Sequence, residues 1–388
     1  MENGYSNDFS PKTQPRTYET PLENLFDAGL VRGRPDLEII LTTTTSTGYK
    51  ILRDKYAADV LKIGIFPLDF WPFSRNAWRR LEPDLAVLME AELWPEHLRQ
   101  ARLRHAPVVL INARMSDRSF PRYQRFGRIA RKLLAELRLI LCSSKSDETR
   151  FLALGANPAS TRLVGNLKFD AAAEIPLLSP AERAALREEL GFGSDPATLV
   201  LLGSSTWEGE EEHLVEVQEE AGHCGLDVRL LLVPRHAERR GEIIALLKQQ
   251  SLPWHARSMG ARAPQPVKIY LGDTTGELSR LTQAADVAFI GKSLAPHQGG
   301  QTPIEAAALG VPLLYGPNMT NFRDACRSLE DAGAAWHVTD ATSAHIALLG
   351  LLQNPNRRHS MGVAGLAWHA LNQGATARTI AALDELLK

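Results

Sequence analysis

Cysteine is scarce in this sequence: Cys142, Cys224 and Cys326 are the only three in 388 residues. They stand far apart, without the close pairs that tetrahedral metal sites use. That argues against a disulfide scaffold or a zinc site and fits a reducing compartment. Long apolar runs are missing too, and none approaches the roughly 20 residues needed to cross a bilayer. The opening residues, MENGYSNDFSPKTQPR, lack the apolar stretch of a signal peptide. They are expected to form a polar, disordered segment over 1–20. Net charge is nearly absent, at −1, so no global field draws the chain to nucleic acid. Neither an internal repeat nor a low-complexity tract is visible. What remains is an ordinary globular composition on a chain long enough for two domains with real cores.

Short apolar runs predict strands over 37–41, 60–66, 85–90, 107–112 and 139–143 in the first half. Further strands are expected over 198–202, 228–233, 269–271, 287–290 and 311–315. Helices are predicted between them, over 21–33, 49–56, 76–81, 147–154, 207–220, 277–284, 302–309, 343–353, 357–369 and 375–387. An aromatic loop, PLDFWPFS, is expected over 67–74. Alternating strands and helices imply an α/β protein with parallel sheets covered on both faces. The stretch VGNLKFD, followed by alanines and Pro176, marks the junction between expected domains at 21–168 and 169–388.

The stretch 286–321 organises the second half. Gly299 and Gly300 form a loop without side chains. Thr302, Pro303 and Glu305 have the spacing of an N-cap, a first-turn proline and a capping-box acid. A glycine loop feeding a helix start can hold an anion; a plain capping box explains the same residues. A second such place is the polar loop 203–206, with Ser204 and Ser205, before a helix whose first turns carry Glu208, Glu210, Glu211 and Glu212. Those acids suit the helix dipole and oppose any anion that is not on the loop N–H groups. Arg235 follows the strand at 228–233, where its fork suits a phosphate; pairing with Glu238 is the plainer alternative.

Charge is unevenly spread. Residues 97–138 hold eleven Lys and Arg against Asp117 and Glu136. Within 119–138 a single helical pattern places Phe120, Tyr123, Phe126, Ala130 and Leu134 on one side. Arg122, Arg125, Arg128, Arg131 and Lys132 take much of the rest. Such a face fits an anionic membrane surface or a phosphorylated ligand, or simply solvent.

In combination and order, TTTTSTG, PLDFWP, EAELWP, INARMSDRS, GNLKFD, GSSTWEGEEE, PRHAER, LGDTTGEL, ADVAFIGKSL and GGQTPIEAAALGVPLLYGP resemble the 3-deoxy-D-manno-octulosonic acid (Kdo) transferases of lipid A assembly. The resemblance covers roughly 35–333 and implies a GT-B fold, two Rossmann-like domains with parallel sheets facing across a cleft. It implies an inverting glycosyltransferase that moves Kdo from CMP-Kdo to a lipid A precursor, without metal or cofactor. The protein is then expected on the cytoplasmic side, peripheral on the inner membrane. By the same resemblance Ser204, Ser205, Arg235, Gly299, Gly300, Glu305 and Asn321 bind the donor. Glu92, Asn112, Arg114 and Arg118 lie on the acceptor side.

The sequence departs from the family in three places. The Ser-Val-Gly-Glu motif that carries the catalytic base is not matched; alignment by spacing offers Glu19, with Glu23 as second choice. The common N-terminal membrane anchor is not seen. Gln301 and Thr302 replace a His and an Asn. Two other readings stay open. One is a non-catalytic or N-terminally truncated relative that binds nucleotide or anionic lipid. The other is a different GT-B enzyme such as a nucleotide-sugar epimerase, against which EAELWP and the basic segment count.

Overall fold

The computed structural model describes residues 36–173 and 175–387. The helix expected over 21–33, and both Glu19 and Glu23, lie outside those residues.

The expected apolar runs all form strands, fully buried at Val108–Ala113, Leu139–Cys142 and Val287–Ile290 and partly exposed in the first ones. Three short strands, Thr161–Leu163, Trp254–Ala256 and Ala335–His337, lie outside the expected runs. In the first half the strands are β1 (Ile40–Thr43), β2 (Lys62–Ile65), β3 (Ala86–Met89), β4 (Val108–Ala113), β5 (Leu139–Cys142) and β6 (Thr161–Leu163). Pairing is parallel throughout, but it makes two sheets, β1-β2 and β3-β4-β5-β6. Among the described residues β1 and β3 each have one neighbour strand. β3 is the less buried edge, with Val87 open to solvent.

The second half builds β7 (Leu199–Thr206), β8 (Val228–Pro234), β9 (Trp254–Ala256), β10 (Ile269–Leu271), β11 (Val287–Ile290), β12 (Leu313–Tyr315) and β13 (Ala335–His337). They form one parallel sheet in the order β13-β12-β11-β7-β8-β10-β9. The chain winds outward from β7 through β8, then returns to lay β11 on the other side of β7. That reversal is a topological switch point, and the crevice outside the carboxyl ends of β7 and β11 is where such sheets bind ligands. Separate apolar clusters cover the two faces of this sheet. Two more cover the four-stranded sheet, and one of them includes Ala375, Ala382 and Leu383 of the last helix, Ala375–Asp384. The chain's end therefore packs back on the first half.

Several expected boundaries move for identifiable reasons. The aromatic loop is shorter than expected, because Trp71–Leu81 is a single helix with Pro72 in its first turn, where proline is tolerated. The basic segment is two helices, Ser119–Arg125 and Gly127–Ala135, broken at Phe126, which lies outside the helical region and faces solvent. The helix Pro95–Leu103, missed in the sequence, starts where Asp69 accepts the N–H groups of Glu96 and His97 at 2.9 and 3.0 Å. The polar loop expected over 203–206 is strand: β7 runs to Thr206, and the next helix, Glu210–His223, begins after Gly209. Among the described residues no helix is long and apolar enough to cross a membrane.

Candidate functional site

The site is best built from the switch point. β11 delivers Gly291 against the end of β7, its N–H bonded to the Ser204 carbonyl at 2.8 Å. A side chain at 291 would meet the Ser205 carbonyl at 2.4 Å, so only glycine allows that approach. The chain then turns sharply at Lys292, a non-glycine residue with φ of 57°, facing Ser205 with φ of 53° on the other strand. Left-handed backbone at two non-glycine residues costs free energy and clusters at functional sites. Here it lifts the Lys292 ammonium over the Trp207 ring, 4.1 Å from the centroid.

Trp207 is the hub of this end of the sheet. His236 lies edge-on at 5.3 Å and His297 at 5.6 Å. Arg235, at the end of β8, is tied in by its N–H to the Thr206 carbonyl at 3.1 Å. Burial, and then the Arg235 charge beside it, hold the His236 imidazole below its ordinary pKa. Arg239 and Lys292 add to the same field. Sequence reasoning had named Arg235 but not Lys292, Trp207, His236 or His297.

The expected anion site at the start of the helix after β7 is filled by the helix's own acid. Glu210 is 3% exposed. Its carboxylate accepts the N–H groups of Trp207 at 2.9 Å, Lys292 at 2.8 Å, Ser293 at 3.1 Å and Leu294 at 3.4 Å. Burial pushes this carboxyl up from its usual range and the backbone bonds pull it back. Hydrogen bonds to a charged group contribute about 1.5–3 kcal/mol each, so Glu210 fixes the loop that carries Lys292. Glu211, equally buried, pairs with Arg239 at 2.7 Å. Glu210 and Glu211 are internal struts, and they occupy the backbone donors at this helix start and Arg239. Ser204 and Ser205 are both buried at the end of β7.

Gly299 and Gly300 are needed for their backbone. Their φ values are 101° and 70°, and a Cβ would sit 2.7 Å from Asn321 Nδ2 or 2.3 Å from Met319 Sδ. The Gly300 and Gln301 N–H groups bond to the carbonyls of Lys292 at 3.2 Å and Gly291 at 3.1 Å. They close the loop onto β11 and do not face a ligand. The expected capping box does not form. The helix is Ile304–Ala308, five residues with Pro303 as its cap, and Thr302 Oγ1 accepts only from the Ile304 N–H, at 3.3 Å. Glu305 is half-buried in that first turn.

On the other side, Arg114 follows β4 and donates to the Asn321 carbonyl at 2.7 Å. Asn321 in turn donates its N–H to Gly299 at 3.0 Å. One acceptor-side and two donor-side candidates are thus joined. Nearby, Ser144 bonds Asp324 at 2.8 Å and Arg323 pairs with Asp117, so the carboxyl ends of the two sheets face each other here. Asn112 is not in that gap. Its φ of 46° turns it inward, fully buried, where Oδ1 accepts the Leu167 N–H at 3.3 Å and Nδ2 has no partner. Glu92 and Arg118 are exposed.

The family described as 3-deoxy-D-manno-octulosonic-acid transferase (kdotransferase) matches residues 22–171. Over 371 residues the chain is 37% identical to the 3-deoxy-D-manno-octulosonic acid transferase of Bordetella pertussis, covering 94% of this chain and 83% of that protein. The enzyme of the same name from Haemophilus influenzae is 31% identical over 356 residues, 91% of this chain and 81% of that one. A solved glycosyltransferase from Rickettsia africae superposes with a TM-score of 0.61 over 94% of both chains at 15% identity. The fold is GT-B.

Proposed function

Because the chain belongs to the 3-deoxy-D-manno-octulosonic-acid (Kdo) transferase family, we propose that it moves Kdo from CMP-Kdo onto a lipid A precursor in lipopolysaccharide assembly. The observation that carries this reading is the basic ring around Trp207. Lys292, Arg235, His236 and His297 gather where a departing phosphate has to be stabilised. Residues 169–388 then form the donor domain and 21–168 the acceptor domain.

The reaction is an inverting displacement. The acceptor hydroxyl oxygen bonds to the anomeric carbon of Kdo as the bond from that carbon to the CMP phosphate oxygen breaks. The electron pair leaves with the phosphate, where Lys292 and Arg235 offset the developing charge. The proton passes to a carboxylate base, Glu19 or failing that Glu23. Glu305 and Asn321 hold the nucleotide side, and Arg114, with Glu92 and Arg118, the acceptor. The test is to incubate the purified chain with CMP-Kdo and a lipid A precursor. CMP release with a lipid mass gain of one or more Kdo units supports transfer. CMP release without a lipid product sinks it.

The acceptor carries phosphates, and the acceptor-side half offers basic surface for them. An open groove of about 470 Å³ is lined by Trp71, Arg75, Arg79, Arg99 and Arg104, with Glu82, Gln100 and Leu103 between them. Beside it Leu68, Phe70 and Phe73 are exposed, as are Phe126 and Ile129 among the arginines of the two basic helices. Basic side chains around exposed apolar ones suit an anionic bilayer surface, which supports a peripheral seat on the cytoplasmic face of the inner membrane. Each basic residue near such a surface contributes about 1 kcal/mol. Reversing Arg122, Arg125 and Arg128 to Glu together is expected to cut binding to anionic vesicles by at least about 100-fold. CMP affinity should not change. A natural protein that already fails to sediment with such vesicles at low salt ends the membrane reading.

Glu305→Gln separates binding from capping. No capping box exists to lose, so the binding measurement is the one that reads the role of the carboxylate. CMP binding should weaken by about 10-fold or more, the loss of at least one charge-assisted bond to a ribose hydroxyl. Calorimetric titration with CMP measures it, and an unchanged affinity removes Glu305 from the site.

A further inference from the structure

Where the helix that follows β7 packs against a later one, two histidines and a glutamate converge that the transfer reaction does not use. His213 and Glu216 stand one turn apart on helix Glu210–His223. His345 faces them from helix Ala341–Gln353. One ligand atom from each of the three lies within 4.8 Å of the others. The two imidazoles are 5.5 Å apart between centroids and cross at 67°. His213 Nε2 is buried without any hydrogen-bond partner. A buried orphan nitrogen needs an explanation, and an ion is one of the few available.

We propose that His213, Glu216 and His345 bind one divalent transition-metal ion, zinc being the best match, that fastens these two helices together. Two imidazoles and one carboxylate select zinc and its first-row neighbours over magnesium or calcium, which want oxygen alone. Zinc holds nitrogen at about 2.0–2.1 Å and carboxylate oxygen at about 2.0–2.2 Å. Ligand atoms on one ion are then about 3–4 Å apart, within reach of small side-chain rotations here. The outer shell fits as well. His345 Nε2 lies 2.7 Å from Glu220 Oε2, so the carboxylate takes that ring's N–H and leaves Nδ1 with the lone pair. A carboxylate behind a ligating histidine is the usual way such rings are held. Glu216 is exposed, so an ion and its remaining water ligands enter from solvent. The site lies on the same helix as Glu210, three residues from the carboxylate that holds the Lys292 loop. Its role is to brace that helix, apart from the chemistry.

The test uses tag-free protein stripped with chelator and desalted. Zinc alone is titrated calorimetrically, cobalt is followed by its visible absorption, and melting is recorded with zinc, with magnesium and with neither. One zinc per chain, with a raised melting temperature that magnesium does not reproduce, is expected. Glu216→Ala changes an exposed residue and leaves the fold intact; together with His345→Gln it should weaken zinc at least 10-fold. Glu220→Gln should weaken it by about 10–100-fold through the outer shell. Saturable binding that is absent, or unchanged in both Glu216→Ala and His345→Gln, overturns the proposal. So does a thiolate-to-cobalt band, which would assign the metal to the exposed Cys224.

Discussion

Lys292→Met is expected to lower kcat/KM for Kdo transfer by about 100- to 1000-fold, the range seen when one preorganised donor to a developing oxyanion is removed. Methionine keeps a flexible stem that can lie on Trp207 and takes away the ammonium. The loss should fall mainly on kcat, because the charge on the phosphate grows as its bond to Kdo breaks. Binding of CMP should weaken less. Arg235→Lys makes the companion test: it keeps a positive charge at the end of β8 and should cost less than Lys292→Met. The melting temperature is expected to stay near that of the natural protein, since Glu210 holds the 292–294 loop through backbone N–H groups that this change leaves in place. Full turnover in a folded Lys292→Met protein would remove the basic ring from the mechanism.

Lys292 also shows where reading the sequence stops. The strands were legible because VAFI, LLY and similar runs have no polar face and can only be buried. The parallel architecture followed from their alternation with helices. The motif ADVAFIGKSL carries the family resemblance without marking its lysine as a site residue. Nothing local announces that a lysine will adopt φ of 57° and fold back over a tryptophan 85 positions earlier in the chain. Trp207, His236 and His297 come from three separate turns, and only the sheet order β11-β7-β8 makes them neighbours. The one available signal was topological: a reversal of strand order between β7 and β11 draws attention to whatever follows both.

Glu210 and Asn112 went astray for a related reason. Acidic residues in a first helical turn read as dipole partners on a solvated surface. Glu210 is instead buried, because the β11 loop leaves three N–H groups that need an acceptor. Asn112 follows an apolar strand, where a polar residue usually faces a ligand. Left-handed backbone, which asparagine tolerates better than most residues, turns it into the core to bind the Leu167 N–H. Arg114, two residues on, is the one that reaches across to Asn321. The short helix Ile304–Ala308 belongs to the same class: capping residues were present at the right spacing, but the chain turns one residue later than they suggest.

The acceptor proton still needs a carboxylate. Glu210 and Glu211 are taken by backbone N–H groups and by Arg239, so neither is available to move a proton. We propose Glu19 for that role, with Glu23 as the second choice. A positioned base contributes about 100- to 10,000-fold in rate. Glu19→Gln is therefore expected to lower kcat by that order while CMP-Kdo affinity stays nearly intact, since the base meets the acceptor and not the nucleotide. The pH profile sharpens the test. If Glu19 is the base, kcat/KM of the natural enzyme falls at low pH as the carboxylate is protonated, and that acid limb disappears in Glu19→Gln. A structural effect would lower the rate at every pH and keep the limb. Glu23→Gln, run in parallel, moves the assignment four residues along if it alone shows both signatures. Glu92→Gln, at the exposed end of β3, is the outside control. Should the limb survive in both N-terminal variants and vanish in Glu92→Gln, the base belongs to the EAELWP turn, and neither Glu19 nor Glu23 takes part in the transfer.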